Sequence, residues 1–350
     1  MKNSFQESRR AGIGGSDVAV ILGVHPYKTV YELWDEKVNG NFKDLSNNMN
    51  ILYGKLLEKT LLEQRSNKMD KLYKDQHIDN ISPYFMLKGC KIINSERSYL
   101  FANIDGVERF HDSISTFKDN IVEIKTAGST SIDRWGPSGG AIVPQEYLCQ
   151  ISHYMMVCGI KNASIVVTFL SESTKEKIAY RVIESNIEQI DSDIIEKLEE
   201  IDFSDLVSKC ETRTYDFTRD LEFEKIMLDE CERFWEYNVQ KKIPPEKDYT
   251  SKGFQEMIKQ KCSTVEPGTV INVEDPELDS AKDLYLNLKE QIKVNTEELN
   301  SVTAILKDKI GTCEKAIFSD GSEFLRKVIK RKPYMVPESE YISFTYKGVK

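Results

Sequence analysis

Apolar positions in the first third of the chain recur at helical spacing and are bracketed by capping residues. The run from Val18 to Leu22 lies between Gly14-Gly15-Ser16-Asp17 and Gly23, which predicts a helix with Ser16 as its N-cap and Gly23 at its C-terminal end. Thr29 followed three residues later by Glu32 is a capping box, so a second helix is expected to open there and run through Trp34. Leu52, Leu56, Leu57 and Leu61 predict a helix over 49–65. The period then changes to two: strands are expected at 99–104, 107–110 and 121–126, the last two separated by a polar turn around 112–120. A helical pattern returns over 145–158, and 163–170 and 178–183 read as two further strands joined by a polar loop. Helices, strands, a helix and strands in that order predict an α/β or α+β core of roughly 200 residues.

Beyond this core the pattern changes. Nine acids and one lysine over 184–205 predict a solvated surface helix, and a Phe-Trp-Glu-Tyr helix over 222–240 ends at Pro244-Pro245. The proline pair is the expected boundary between a core at 1–245 and an extension at 246–350. Asp275-Pro276 then opens a helix expected over about 276–310, roughly 50 Å long. Its apolar positions from Leu278 to Leu306 alternate in steps of three and four, with Asn295 the one polar group in the seam, which is a heptad pattern. A basic, β-rich tail is expected after it.

Composition narrows the class. The chain has 350 residues, 40% hydrophobic and 30% charged, and no run approaches the ~20 apolar residues that span a bilayer. With no apolar signal core at its start, it is expected in the cytoplasm. The seven cysteines are scattered without a Cys-x-x-Cys pair and the four histidines show no His-Glu-x-x-His spacing. Reduced thiols are therefore expected, and a disulfide scaffold, an iron–sulfur cluster and a zincin site are not. The net charge of −9 argues against a protein coated by nucleic acid, but residues 323–350 carry +4 and residues 1–322 carry −13. Any nucleic-acid contact must come from local basic patches or bound cations.

The candidate chemistry lies on the strands. Asp105 ends the apolar strand in Phe-Ala-Asn-Ile-Asp-Gly, and eighteen residues later Glu123 and Lys125 share one face of Val-Glu-Ile-Lys while Val122 and Ile124 point the other way. Charges on an otherwise apolar strand are rarely buried without a partner. Phosphodiester hydrolysis accounts for them: hard divalent cations on Asp105 and Glu123, with the Ile124 carbonyl as a further ligand, offset negative charge in the transition state. Lys125 then positions the attacking water.

Asp105 followed by Glu123-Ile124-Lys125 resembles the Asp…Glu-x-Lys core of the restriction-endonuclease-like nuclease superfamily. Three further segments resemble the lambda-exonuclease/YqaJ-like viral recombinase nucleases: Arg9-Arg10-Ala-Gly-Ile-Gly-Gly-Ser16-Asp17-Val with Leu22-Gly-Val-His-Pro26-Tyr27 to Trp34, then Gly54-Lys-Leu-Leu-Glu58, then Pro144-Gln145-Glu-Tyr147-Leu-Cys-Gln150-Ile-Ser-His-Tyr154. The resemblance covers 9–183 and implies a nuclease core with a mixed central sheet flanked by helices, two Mg²⁺ (or Mn²⁺) ions, and 5′-to-3′ digestion of linear duplex DNA. It implies 3′ single-stranded overhangs for phage-type recombination and a single-strand-annealing recombinase as partner. It also implies that Glu58 contributes an acid near the metals, that Gln150 lies near the scissile phosphate or metal water, and that Arg9 and Ser16 hold the 5′-phosphate.

Two departures stand out. Ile104 occupies the position of the superfamily's proline before the first catalytic acid, and the heptad helix with the rest of the extension lies outside the matched core. The seam raises the expectation of a homo-oligomer, against a long helix packed on its own domain. Competing functions are a structure-specific or restriction-like endonuclease, and a non-catalytic scaffold that binds DNA ends.

Overall fold

The computed structural model describes residues 7–43, 48–73, 84–111, 116–185 and 201–328. The chain divides into two compact units, Met1–Lys261 and Cys262–Lys350. In chain order the first contains α1 (Gly15–Ile21), α2 (Val30–Asn39), α3 (Met49–Tyr73), β1 (Tyr84–Lys88), β2 (Lys91–Ile93), β3 (Phe101–Asn103), β4 (Gly106–His111) and β5 (Phe117–Gly128). A 3-10 turn (Ser129–Arg134) leads to α4 (Gln145–Cys158), β6 (Asn162–Leu170), α5 (Glu172–Glu184), α6 (Ser204–Val207), β7 (Thr212–Thr218), α7 (Leu221–Arg233) and α8 (Lys252–Lys261).

The frame is a mixed five-stranded sheet in the order β1-β4-β5-β6-β7. All neighbours are antiparallel except β5 and β6, which are parallel. Two parallel neighbours cannot be joined by a hairpin, so the chain crosses over through α4. Alternation along the central strands sends side chains into two separate cores. Ile121, Ile165 and Val167 pack with α1, α2, α4 and α7 on one face. Val122, Ile124 and Val166 pack with Leu56, Leu57 and Leu61 of α3 and with α5 on the other. This is the α/β architecture with a mixed sheet flanked by helices that the resemblance implies.

Three expectations are corrected. Residues 178–183 are not a strand; they are the second half of α5, capped by Ser171, whose hydroxyl accepts from the Thr174 amide at 3.1 Å. Ile178 and Val182, four apart, are buried while Tyr180 and Ile183 lie exposed, so the period is helical. Ser16 is not the N-cap of α1. Gly14 is, and the capping acceptor is Asp17, which takes the Gly14 amide at 3.0 Å. The break between units falls after Lys261 and not at Pro245, because Phe254 of α8 is fully buried edge-on to Tyr31 of α2, with ring centroids 5.3 Å apart.

The capping box at Thr29 and the helix over 145–158 are present as the sequence predicts. The helix over 222–240 is α7 continued by a π-helical turn, Phe234–Gln240. Most of the acidic segment, residues 186–200, lies outside the described residues.

In the second unit α9 (Pro276–Ile310) starts on Asp275, whose carboxylate accepts from the Glu277 amide at 2.9 Å. The strands β8 (Lys315–Ile317) and β9 (Glu323–Leu325) form a hairpin after it. Of the expected basic tail, Arg326 and Lys327 are described, and residues 329–350 lie outside the described residues.

Candidate active site

The site begins at the N-terminal end of β4. Pairing between β4 and β5 ends at Gly106 opposite Val122, so the edge of β5 from Glu123 onward has lost its antiparallel neighbour. Asp105 replaces it: its Oδ2 accepts the Ile124 amide at 2.8 Å. N–H and C=O of one strand residue share an edge, so the Ile124 carbonyl faces the same side as this carboxylate. The Asp105 backbone is itself held, since its carbonyl accepts the Gly89 amide at 3.0 Å. A Cβ on Gly89 would come within 1.9 Å of the Ile104 carbonyl oxygen, so the approach depends on glycine.

On the opposite face of β5 from Val122 and Ile124, Glu123 and Lys125 point towards α4. The Glu123 side chain is 3% exposed. Its Oε1 accepts from Lys125 Nζ and from Gln150 Nε2, the latter at 2.7 Å. Gln150 is held in turn by Tyr154, whose hydroxyl oxygen accepts from Nε2 at 2.8 Å. The other carboxylate oxygen of Glu123, Oε2, is buried with no hydrogen-bond partner among the described residues.

Burial pushes the Glu123 carboxyl up to about 8, with the charges of Asp105 and Glu58 adding to the rise and Lys125 opposing it. Asp105 moves up for the same first reason, with Lys125 and the Ile124 amide working against it. Burial would depress the Lys125 ammonium, but the carboxylates of Glu123 and Asp105 outweigh it and the net shift is upward. Lys125 Nζ also stands 5.1 Å from the centroid of the Tyr147 ring, and Tyr147 is stacked on Trp135 at 5.4 Å. A cation over an aromatic face gains further stabilisation.

Glu58 is an exposed residue of α3, which packs on the other face of β5; its charge is felt at Glu123. Among the described residues no three His, Cys, Asp or Glu side chains are gathered closely enough to hold a metal ion as they stand. The donor chemistry nonetheless fits a hard cation in two respects. Asp105 and Glu123 are neighbouring carboxyls whose side-chain interaction lowers Asp105, and Glu123 Oε2 is a buried oxygen with no donor in hydrogen-bond geometry among the described residues.

Arg9 and Ser16 are brought together beside this cluster. Arg9 Nη2 lies 3.5 Å from Ser16 Oγ and donates to Asp17 Oδ1 at 2.7 Å. The start of α1 lies so close to α4 that a Cβ on Gly15 would fall 2.4 Å from Tyr154 and 2.9 Å from Gln150 Cγ. Arg9 and Ser16 therefore flank the residue that holds Glu123.

Two residues that sequence reasoning missed organise this corner. Asp17 is buried and takes Lys37 Nζ on Oδ2 at 2.7 Å, and Lys37, also buried, donates to the carbonyls of Arg9 and Gly12 at 2.6 and 2.7 Å. Burial alone would raise Asp17, but Lys37 and Arg9 overcome it and hold its carboxyl well below the usual range. Lys37 leaves no trace in the sequence, where a lysine on a polar helix reads as solvated. His153, between Gln150 and Tyr154, is a core residue: its Nε2 meets the Phe101 carbonyl at 2.9 Å and burial lowers it to about 4.

Residues 4–161 match the family model of the YqaJ-like viral recombinase domain. The uncharacterised protein YqaJ of Bacillus subtilis (strain 168) is 26% identical over 183 residues, 52% of this chain, and the match spans 50% of the length of that relative. Among solved structures, the exonuclease LHK-Exo in complex with dAMP aligns over 75% of this chain and 97% of its own at 13% identity, with a TM-score of 0.38. A second structure of LHK-Exo, an alkaline exonuclease from Laribacter hongkongensis, aligns over 74% of this chain and 97% of its own at 12% identity, with a TM-score of 0.36. A phage-related exonuclease from Haemophilus somnus 129PT aligns over 71% and 96% at 15% identity, with a TM-score of 0.32. Residues 4–161, which include α1 to β5 and the whole Glu123 cluster, are thus similar to a YqaJ-like viral recombinase domain.

Proposed function

We propose that this protein is a divalent-metal-dependent deoxyribonuclease that degrades linear duplex DNA from its 5′ ends and leaves 3′ single-stranded overhangs for phage-type recombination. The observation that carries the reading is the buried Oε2 of Glu123, which has no hydrogen-bond partner among the described residues, next to Asp105 and on the strand that also places Lys125. A buried acceptor without a donor costs free energy that a bound cation removes. Asp105, Glu123 Oε2, the Ile124 carbonyl and Glu58 are the residues that would hold Mg²⁺ or Mn²⁺, two ions in all. Such ions supply a water of lowered pKa and positive charge against the reacting phosphate.

The remaining work falls to side chains. Glu123 must give up its proton for the cluster to act, because the carboxyl is pushed up to about 8 and metal ligation needs the anion. Lys125, kept charged by the two carboxylates, directs its ammonium hydrogens at the attacking water or the phosphate oxygens. Gln150 holds the Glu123 carboxylate through Oε1 and so leaves Oε2 free for ligation. Arg9 and Ser16 offer a guanidinium and a hydroxyl to a terminal 5′-phosphate, the dianion that distinguishes an end from internal backbone. A single-strand-annealing recombinase is the partner that would consume the overhang.

The reading is tested by incubating the protein with 5′-phosphorylated linear duplex, 5′-hydroxyl linear duplex and covalently closed circles of one sequence. Nucleotide release from linear DNA alone, faster with the phosphate, is the expected result. Equal cutting of closed circles would make the protein an endonuclease, and no release from any substrate would leave an end-binding scaffold.

A further inference from the structure

The turn between α1 and α2 holds an aromatic ring out in solvent. Tyr27 is 70% exposed, and no aromatic ring among the described residues is more so. A single exposed tyrosine is ordinary on a protein surface. What sets this one apart is how firmly it is held and where it stands.

Its backbone is pinned on both flanks. The Tyr27 amide donates to His25 Nδ1 at 3.2 Å, the two rings meet edge to face at 6.1 Å, and Pro26 between them has a fixed φ. On the other flank the Tyr27 carbonyl oxygen lies so near Gly253 that a Cβ there would come within 2.4 Å of it. A ring on so fixed a backbone has only its two side-chain torsions to lose when a ligand covers it, so it offers contact area at low entropic cost.

Tyr27 stands at the rim of the Glu123 cluster. Lys125 Nζ lies 5.1 Å from the Tyr147 ring, and Trp135, stacked on that ring, is preceded by Arg134, whose Nη2 donates to Glu146 Oε1 at 2.6 Å. The charge of the Tyr27 phenol is felt at both Arg134 and Tyr147, and that of Glu146 at His25. Arg134 is 45% exposed, and Glu146 engages only one of its nitrogens, which leaves guanidinium N–H groups for a phosphate.

An exposed ring beside a half-exposed guanidinium suits a single strand of nucleic acid, the ring taking the flat face of a base and the cation its backbone. Hydrolysis of a terminal nucleotide supplies such a strand, because the nucleotide must leave the duplex to reach the cluster and its base is then unpaired. We propose that Tyr27 is a stacking platform for an unpaired base of the DNA strand entering the Glu123 cluster, with Arg134 on the phosphate beside that base. This role rests on the nuclease reading for its substrate, but it holds the strand through a base and not, as Arg9 and Ser16 would, through the terminal phosphate.

Binding in EDTA tests this with a duplex that ends in two unpaired 5′-nucleotides and with the same duplex lacking those two bases. Tyr27→Ala should bind the base-bearing end about 5- to 150-fold more weakly than the wild type, the range for losing one base–aromatic contact, and should bind the abasic end as the wild type does. Tyr27→Phe, which keeps the ring, should match the wild type on both. Equal weakening on the two ends, or none on either, would overturn the proposal. If the wild type releases nucleotides in Mg²⁺ and one of those results is found, the stacking role falls alone. If Tyr27→Ala discriminates between the ends while the wild type releases nothing from any duplex, the nuclease reading falls and the stacking role stands.

Discussion

Asp105 Oδ2 accepts the Ile124 amide at 2.8 Å, so a side chain completes the hydrogen bonding of β5 where β4 has ended. This gives Asp105 two separable roles, an acceptor for the strand and a charge for the site. Asp105→Asn keeps an acceptor and should melt close to the wild type, whereas Asp105→Ala should lose about 1 kcal/mol of stability through the unpaired amide. Both should lose at least ~10²-fold in nuclease rate, the scale of one preorganised electrostatic group. Equal melting of the two variants would mean that the bond to Ile124 contributes nothing to the fold.

Glu123 makes stability depend on pH in a predictable direction. A carboxyl that titrates near 4.5 when solvated and about 8 in the fold keeps its proton in the native state after the unfolded chain has released it. The native state then binds more protons, so its contribution is fully present below about pH 4.5 and is lost as pH rises through about 8. Thermal unfolding in EDTA should show this decline in the wild type and a flatter profile for Glu123→Gln. Parallel profiles for the two proteins would place the titration elsewhere.

Asp17 and Lys37 form an ion pair with both side chains at most 2% exposed. Asp17→Ala leaves the Lys37 ammonium buried without its counter-charge and should cost about 3–5 kcal/mol, with the Arg9 side chain released as well. Arg9→Ala and Ser16→Ala should leave the fold intact and reduce the preference for a 5′-phosphate over a 5′-hydroxyl end. Competition between the two ends for each variant measures this, and an unchanged preference in both would put the phosphate site elsewhere.

Phe254 ties α8 to the first unit. A chain ending at Lys261 should retain the melting transition of that unit, and one ending at Gly253 should be less stable by about 3–5 kcal/mol, the scale of deleting a buried aromatic side chain. Coincident transitions for the two would show that α8 is dispensable.

Much of this site was legible in the sequence because its chemistry is local. The alternation Val122-Glu123-Ile124-Lys125 fixes which groups share a face, and Gln150 and Tyr154 are one helical turn apart whatever surrounds them. The missing parts depend on contacts between distant segments. Lys37 reaches Asp17 across twenty residues, and Tyr147 carries a signal for Lys125 only once α4 crosses over β5. The strand expected at 178–183 failed for a related reason: a short stretch with apolar residues at both two and four spacings fits either period, and the Ser171 cap decides it. The same ambiguity hid β7, whose Arg213, Tyr215 and Phe217 alternate within a run rich in threonine.

The central claim is that the Asp105–Glu123–Lys125 cluster hydrolyses DNA with a bound divalent cation. Its most direct measurement is nucleotide release from uniformly labelled linear duplex by the wild type, Glu123→Gln and Lys125→Ala, each with Mg²⁺ and with EDTA. Release by the wild type in Mg²⁺ only, falling at least ~10²-fold in both folded variants, is the predicted result. Release that survives EDTA, or a folded Glu123→Gln protein with wild-type rate, would contradict it.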